Sequence, residues 1–482
     1  MPICKSSVAF IWLLAASSCA AQEPGKVNDF IRIQATDVAL EHVQVIDGTG
    51  GEIRRDQTIL ISDRKIAGIG NANTVAIPHD ASRIDLTGYS AIPGLVGMHD
   101  HLFYVTSSVN DNYLAHDMPL SFPRLFLANG VTTIRTTGSY EPFTDLEIKR
   151  AVDQGKMIGP TIHVTGPYLV DQELGQIQIH ALSGPEDARR IVEYWADEGA
   201  TSFKAYEYIT RAELKAAIEQ AHRHGLTVAG HLCSIGFTEA AKLGIDSLEH
   251  GLMVDTEFVP GKKPDVCPES NWPGTLELDV SGKQIQSTID TLVKHRVAIT
   301  STLAIYESFL VSWPGAPQPA LDSLNEDSLK GYEVYRSRQA EVASDPSKRD
   351  VNQQRSAMFR KEMEFEKAFA RGGGLLLAGS DAVLHGVIAG FADQREIELL
   401  VEAGFTPVEA IKIATLNGAQ FLKESVQIGS LEPGKQADIV IVKGSPSTNI
   451  HDIENVELVF KDGIGYDSKK LIASVKGQVG IR

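Results

Sequence analysis

From residue 92 onward, short runs rich in Val, Ile and Leu alternate with segments whose apolar positions recur every three or four residues. Strands are expected at 95–102, 131–137, 161–166, 202–207, 226–232, 245–250, 297–303 and 375–381. Between them, residues 186–198 place Ile191, Val192 and Trp195 on one helical face. Leu214, Ala217, Ile218 and Ala221 form the next such stripe. The alternation predicts the α/β class and a (β/α)8 TIM barrel, with reactive residues at the C-terminal strand ends. A doubly wound sheet is the competing fold, but the chain lacks a Gly-x-Gly-x-x-Gly dinucleotide loop.

Both flanks read differently. Runs at 40–46, 58–62, 65–69 and 84–86 are β-prone and broken by Gly, Asp and Asn; 437–442, 456–460 and 471–475 repeat that character. One small β-sandwich domain is therefore expected from residues 22–91 and 426–482, with the barrel of residues 92–425 inserted between them. Two unrelated caps are the alternative. The connections 252–296 and 308–350 follow strand ends and are long for a barrel, which suits either a lid or a solvated insertion. Lys5, the apolar run 8–16 and the small residues 17–21 read as a signal peptide over residues 1–21, too short to span a bilayer. The mature protein is thus expected to be exported, periplasmic or secreted, without a transmembrane domain; a lipid anchor at Cys19 is the weaker alternative.

Composition narrows the partners. An apolar fraction of 43% supports a folded core, and 45 Lys plus Arg against 62 Asp plus Glu argue against a broad nucleic-acid surface. Four cysteines build no dense disulfide scaffold. Cys233 reads as a small buried thiol or, after export, as a partner of Cys267. No coiled-coil repeat specifies an assembly, so a homo-oligomer is left open.

The chemistry gathers at the expected strand ends. Gly97-Met98-His99-Asp100-His101 closes the first strand, and residues two apart in a strand point to one side. His99 and His101 can thus face the barrel mouth together, a pair suited to a divalent metal, while Asp100 points the other way. His231, His250 and Asp381 close later strands, and Lys204 lies on the fourth. A lone histidine is more often a core residue; four histidines and a carboxylate at one mouth make that account weak.

At these residues the chain resembles the metal-dependent amidohydrolase superfamily, in particular its imidazolonepropionase-like and prolidase-like branch. The resemblance runs through Ile92-Pro93-Gly94-Leu95-Val96-Gly97-Met98-His99-Asp100-His101, Phe203-Lys204-Ala205-Tyr206, Ser247-Leu248-Glu249-His250-Gly251 and Ala378-Gly379-Ser380-Asp381. It implies that His99, His101, Lys204 and Asp381 hold one divalent ion, that Lys204, His231 and His250 hold a second, and that zinc is the first choice. It also implies a Lys204 carboxylated by carbon dioxide, because a free ammonium has no lone pair for a metal. Two such ions lower the pKa of a bridging water, and Asp381 then serves as proton shuttle to the departing amine. The branch often carries Asp after the residue at Arg135; Thr136 stands there in this chain.

Tyr206, Tyr208, His385 and Arg135 are the candidates for substrate contact. Tyr206 reads equally as a core residue, and Arg135 equally as the partner of a neighbouring acid. The function expected is hydrolysis of a small-molecule amide or peptide bond, in a dipeptide or an N-acyl amino acid. A cyclic amidase or lactonase is the alternative within the superfamily, and a non-catalytic metal- or ligand-binding protein is the alternative outside it.

Overall fold

The computed structural model describes residues 25–107, 113–171, 178–269 and 274–481. The expected signal peptide and Cys19 fall outside them. Parallel strands form two sheets. One holds Thr161–His163, Val131–Thr136 and Leu95–Asp100 in that order. The other runs Thr165–Leu169, Ser202–Ala205, Thr227–Gly230, Ser247–Glu249, Ala298–Ser301 and Leu376–Ala378.

The sheets meet at two seams. At the first, only Val164 separates Thr161–His163 from Thr165–Leu169, and the Thr165 amide donates to Thr136 Oγ1 at 2.9 Å. The expected third strand is therefore two pieces, because the chain leaves one neighbour and takes another. At the second, the amides of Ser380 and Asp381 donate to the His99 carbonyl at 3.1 and 2.8 Å.

Helices follow where the apolar stripes predicted them. In Arg211–Arg223, Thr210 and Glu213 form a capping box, and Leu214, Ala217, Ile218 and Ala221 are buried. Burying Leu214 and Ile218 contributes about 1.5–3 kcal/mol each, so Ile218→Asp is the change that would detach this helix. Pro185–Glu198 starts at a proline and stops at Gly199, whose φ of 110° suits glycine. The connection at 308–350 is mostly helical: Glu326–Ser344 begins at Asn325, whose side chain accepts from the Ser328 amide at 2.8 Å.

The two chain ends share one nine-stranded sheet. Tyr89–Pro93 pairs in parallel with Asp37–Val45 and antiparallel with Ile439–Lys443, which stitches start to finish. Lys65 also bridges to Gln436, and Val38, Ile59, Ile439 and Phe460 pack in one buried cluster. Gly94 alone separates Tyr89–Pro93 from Leu95–Asp100, and a Cβ there would overlap the Thr132 side chain. One expectation fails: residues 471–475 are no strand. Ser468–Ala473 is a helix, because the Asp467 carboxylate accepts from the Lys470 amide at 3.0 Å and caps its first turn.

Candidate metal centre

Each expected ligand sits where a parallel strand ends. His99 is the penultimate residue of Leu95–Asp100 and His101 lies just beyond it; His231 and His250 directly follow Thr227–Gly230 and Ser247–Glu249. Lys204 lies within Ser202–Ala205, and Asp381 comes three residues after Leu376–Ala378. His250 and Asp381 adopt left-handed φ values of 67° and 48°. Such conformations are costly outside glycine and here turn both side chains inward. A Cβ at Gly379 would overlap the His99 backbone, so that close approach requires glycine.

The six come together. Lys204 Nζ lies 3.0 Å from His99 Nε2, and Asp381 Oδ1 lies 3.2 Å from His101 Nε2 and 3.7 Å from His99 Nε2. The rings of His231 and His250 are 4.4 Å apart, and those of His99 and His250 4.6 Å. His99, His250 and Asp381 each offer a ligand atom within 4.8 Å of the others.

The histidines are held from behind. His99 Nδ1 pairs with Glu249 Oε2 at 2.7 Å, His250 Nδ1 with Thr302 Oγ1 at 2.7 Å, and His101 Nδ1 with the Gly138 carbonyl at 3.2 Å. That leaves their Nε2 atoms for the centre, the arrangement metal-binding imidazoles adopt. His250 Nε2 is buried with no hydrogen-bond partner. Burial, with Lys204 adding to it, lowers His99 to about 4 and His231 to about 3, so both are neutral at pH 7. Burial and His231 hold His250 well below its usual range. Burial lowers Lys204 to about 8, leaving an appreciable neutral-amine fraction at neutral pH. For Asp381 burial acts upward, but His99 and the hydrogen bond to His101 outweigh it and keep the carboxylate ionised. Neutral imidazoles, an ionised carboxylate and a reactive lysine fit a divalent ion with mixed nitrogen and oxygen ligands.

The substrate candidates divide. Tyr206 lines a cavity of about 240 Å³ above the cluster, together with Lys204 and Asp381. Tyr208, His385 and Arg135 are not among its lining residues. His385 instead stacks on Tyr335, ring centroids 3.7 Å apart and nearly parallel. Arg135 lies beneath the site, donating to Glu249 Oε1 at 2.9 Å, to Ser247 Oγ at 3.2 Å and to the Met98 carbonyl at 2.9 Å. Its role is to neutralise the acid that orients His99, which is why Glu249 stays ionised although burial pushes it upward. Asp100 does point away from the cluster, accepting from Ser380 Oγ at 2.7 Å.

Sequence reasoning missed Phe103, Tyr140, Tyr168, Tyr306 and Phe309, all on the cavity wall. Two carried a usable signal: Phe103 lies two residues after His101, and Tyr168 follows the expected third strand by two. Cys233 and Cys267 form a disulfide, Cα atoms 4.9 Å apart, which ties the connection after His250 to the loop after His231.

The Amidohydrolase family model matches residues 90–465. Adenine deaminase 2 of Jannaschia sp. (strain CCS1) is 37% identical over 73 residues, 15% of this chain and 12% of that protein. Imidazolonepropionase of Stenotrophomonas maltophilia (strain R551-3) is 30% identical over 103 residues, 21% of this chain and 25% of that protein. The chain thus aligns with a quarter or less of each of these two curated relatives. Among solved structures, a putative prolidase from Bifidobacterium longum superposes with a TM-score of 0.65 at 22% identity, covering 91% of this chain and 98% of that one. A Xaa-Pro dipeptidase with bound methionine in its active site gives 0.65 at 20% identity, covering 89% and 100%. At these identities the likeness concerns the fold.

Proposed function

Because the chain belongs to the amidohydrolase family, we propose that it hydrolyses a small amide or peptide bond at a binuclear divalent metal centre, the class that contains dipeptides and N-acyl amino acids. His99, His101, Lys204 and Asp381 would hold one ion, and Lys204, His231 and His250 the other, zinc being the first choice for these donors. When bound, the ions would make a water acidic and polarise the scissile carbonyl. The observation that carries this reading is the partnerless Nε2 of buried His250, turned toward His99 and Asp381.

The chain's own residues divide the remaining work. Asp381 accepts at its carboxylate the proton that the attacking water gives up, then returns it to the departing amide nitrogen as the C–N bond breaks. Tyr206, its phenol kept neutral by burial, is a hydrogen-bond donor for the carbonyl oxygen. Lys204, desolvated and lowered to about 8, is available as the free amine that carbon dioxide would carboxylate. Its carbamate would supply the two oxygens that a bridge between ions needs.

The fold reading accompanies this. The two seams support an eight-stranded barrel over residues 92–425, and the packed terminal sheet supports a sandwich domain from residues 22–91 and 426–482. The Cys233–Cys267 disulfide supports export, since such bonds persist in oxidising compartments. No helix among the described residues is long and apolar enough to cross a membrane. Elemental analysis of the purified protein tests the centre. Two transition-metal ions per chain, with activity restored to stripped protein only when bicarbonate accompanies the metal, is the expected result. A metal-free protein that hydrolyses amides at full rate would overturn it.

A further inference from the structure

The four histidines belong to a closed circuit of aromatic rings. His101 meets Phe103 at 4.5 Å between centroids, Phe103 meets Tyr140 at 4.7 Å, and Tyr140 meets Tyr168 at 5.2 Å. Tyr168 meets Tyr206 at 5.0 Å, and Tyr206 meets His231 at 4.8 Å. His231, His250, His99 and His101 then close the ring at 4.4, 4.6 and 5.4 Å. Successive strand ends supply these rings, so the girdle surrounds the floor of the cavity. Tyr306 and Phe309 extend it upward from His250.

What the wall lacks matters as much. Apart from the proposed ligands, every cavity-lining residue among the described ones is aliphatic, Phe or Tyr. Among the described residues no arginine lines it, and Lys204 is the only lysine that does. Residues 108–112 and 172–177, which follow wall-forming strands in sequence, contain no Lys, Arg or His. The charge beside the girdle is acidic: Glu207 Oε1 lies 3.5 Å from His231 Nε2. Arg135 is locked beneath the floor on Glu249. A carboxylate held against this wall, away from the proposed ions on the floor, would lose its water and meet no cation, whereas a ring would meet the rings of the girdle.

We propose that the preferred substrate is an uncharged aromatic amide, with no carboxylate on the part that enters the cavity. This rests on the amide-hydrolysis reading and narrows it, away from dipeptides and N-acyl amino acids. Tyrosine hydroxyls serve as neutral donors to carbonyl oxygens, and the girdle packs edge-to-face against the substrate ring.

Acetanilide and 4-acetamidobenzoate differ only by a remote carboxylate, and their non-hydrolysable ketone counterparts are phenylacetone and 4-(2-oxopropyl)benzoate. Steady-state hydrolysis of the amides and calorimetric binding of the ketones are measured on the metal-loaded enzyme. The expected result is a kcat/KM at least tenfold higher for acetanilide and a Kd at least tenfold lower for phenylacetone. The para-carboxylate, if anything, improves the aniline leaving group, so reactivity alone would not produce that order. If neither amide is cleaved but phenylacetone binds tighter by that margin, the hydrolysis reading falls and the recognition stands. If the acid is cleaved as well or better, or phenylacetone binds no tighter than its acid, the recognition is overturned and hydrolysis is judged separately.

Discussion

Two aspartates flank the same strand end, Asp100 fully buried and Asp381 half-buried at the cavity, and are held in opposite states. Asp381 faces the histidines, and His99 and His101 keep it ionised against the pull of burial. Asp100 faces the other way, where burial and the neighbouring Asp393 hold its carboxyl well above the usual range, and it accepts from Ser380. Glu396, on the helix Phe391–Glu402 that also carries Asp393, is pushed up to about 8 by burial. Burial pushes both carboxyls upward; the company differs. Where cations and ring nitrogens surround a carboxylate its ionised form is favoured, and where acids surround one its protonated form is.

The contrast breaks most visibly at Asp381. Asp381→Asn is expected to lower kcat about 10³-fold, within the range of a lost general acid–base, with circular dichroism unchanged. Nearly full activity in that variant with both metals bound would end its role as shuttle. Arg135→Met should be the next largest: it leaves Glu249 buried without its cation, at a cost of about 3–5 kcal/mol in chemical denaturation, together with weaker metal retention as His99 loses its orientation. Glu396 sharpens the comparison through pH. Its folded pKa of about 8 lies above the ordinary 4.5, so the native state keeps a proton that the unfolded chain releases. That contribution is complete below pH 4.5 and declines as pH rises toward 8; Glu396→Gln should flatten the decline in unfolding free energy over that window. The smallest effect belongs to Asp100→Asn. An amide there replaces a carboxyl whose neutral form burial and Asp393 already favour, so stability should change by under about 1 kcal/mol. An activity loss matching that of Asp381→Asn would show that the two faces are not separate.

The strand ends were legible because period two and position in the chain place a side chain without knowledge of its neighbours. Period two put His99 and His101 on one side and strand-end position put His231 and His250 beside them, whereas the ligand roles came from the family resemblance. Arg135 is the counterexample: a cation in a Val/Thr run is plain in the sequence, but its partner Glu249 is 114 residues away, and only packing decides whether it faces substrate or supports a ligand. His385 was drawn off by a ring from Tyr335 in the connection 308–350, a contact no local pattern records. Of the girdle tyrosines Tyr206 was named in advance, whereas Tyr140 and Tyr168 come from separate stretches of chain whose meeting no local pattern records. The strand expected at 471–475 was misread because its apolar residues suit either element, and the Asp467 cap decides between them.

The pairing of Tyr89–Pro93 with Ile439–Lys443 has a consequence for biosynthesis. A strand made early waits, during translation, for one made almost last, and Leu95–Asp100 is joined to it by a single residue. Long-range pairing of this kind is slow, since the loop between the partners must be closed first. The nascent chain thus cannot close this sheet before its C-terminal region has left the ribosome.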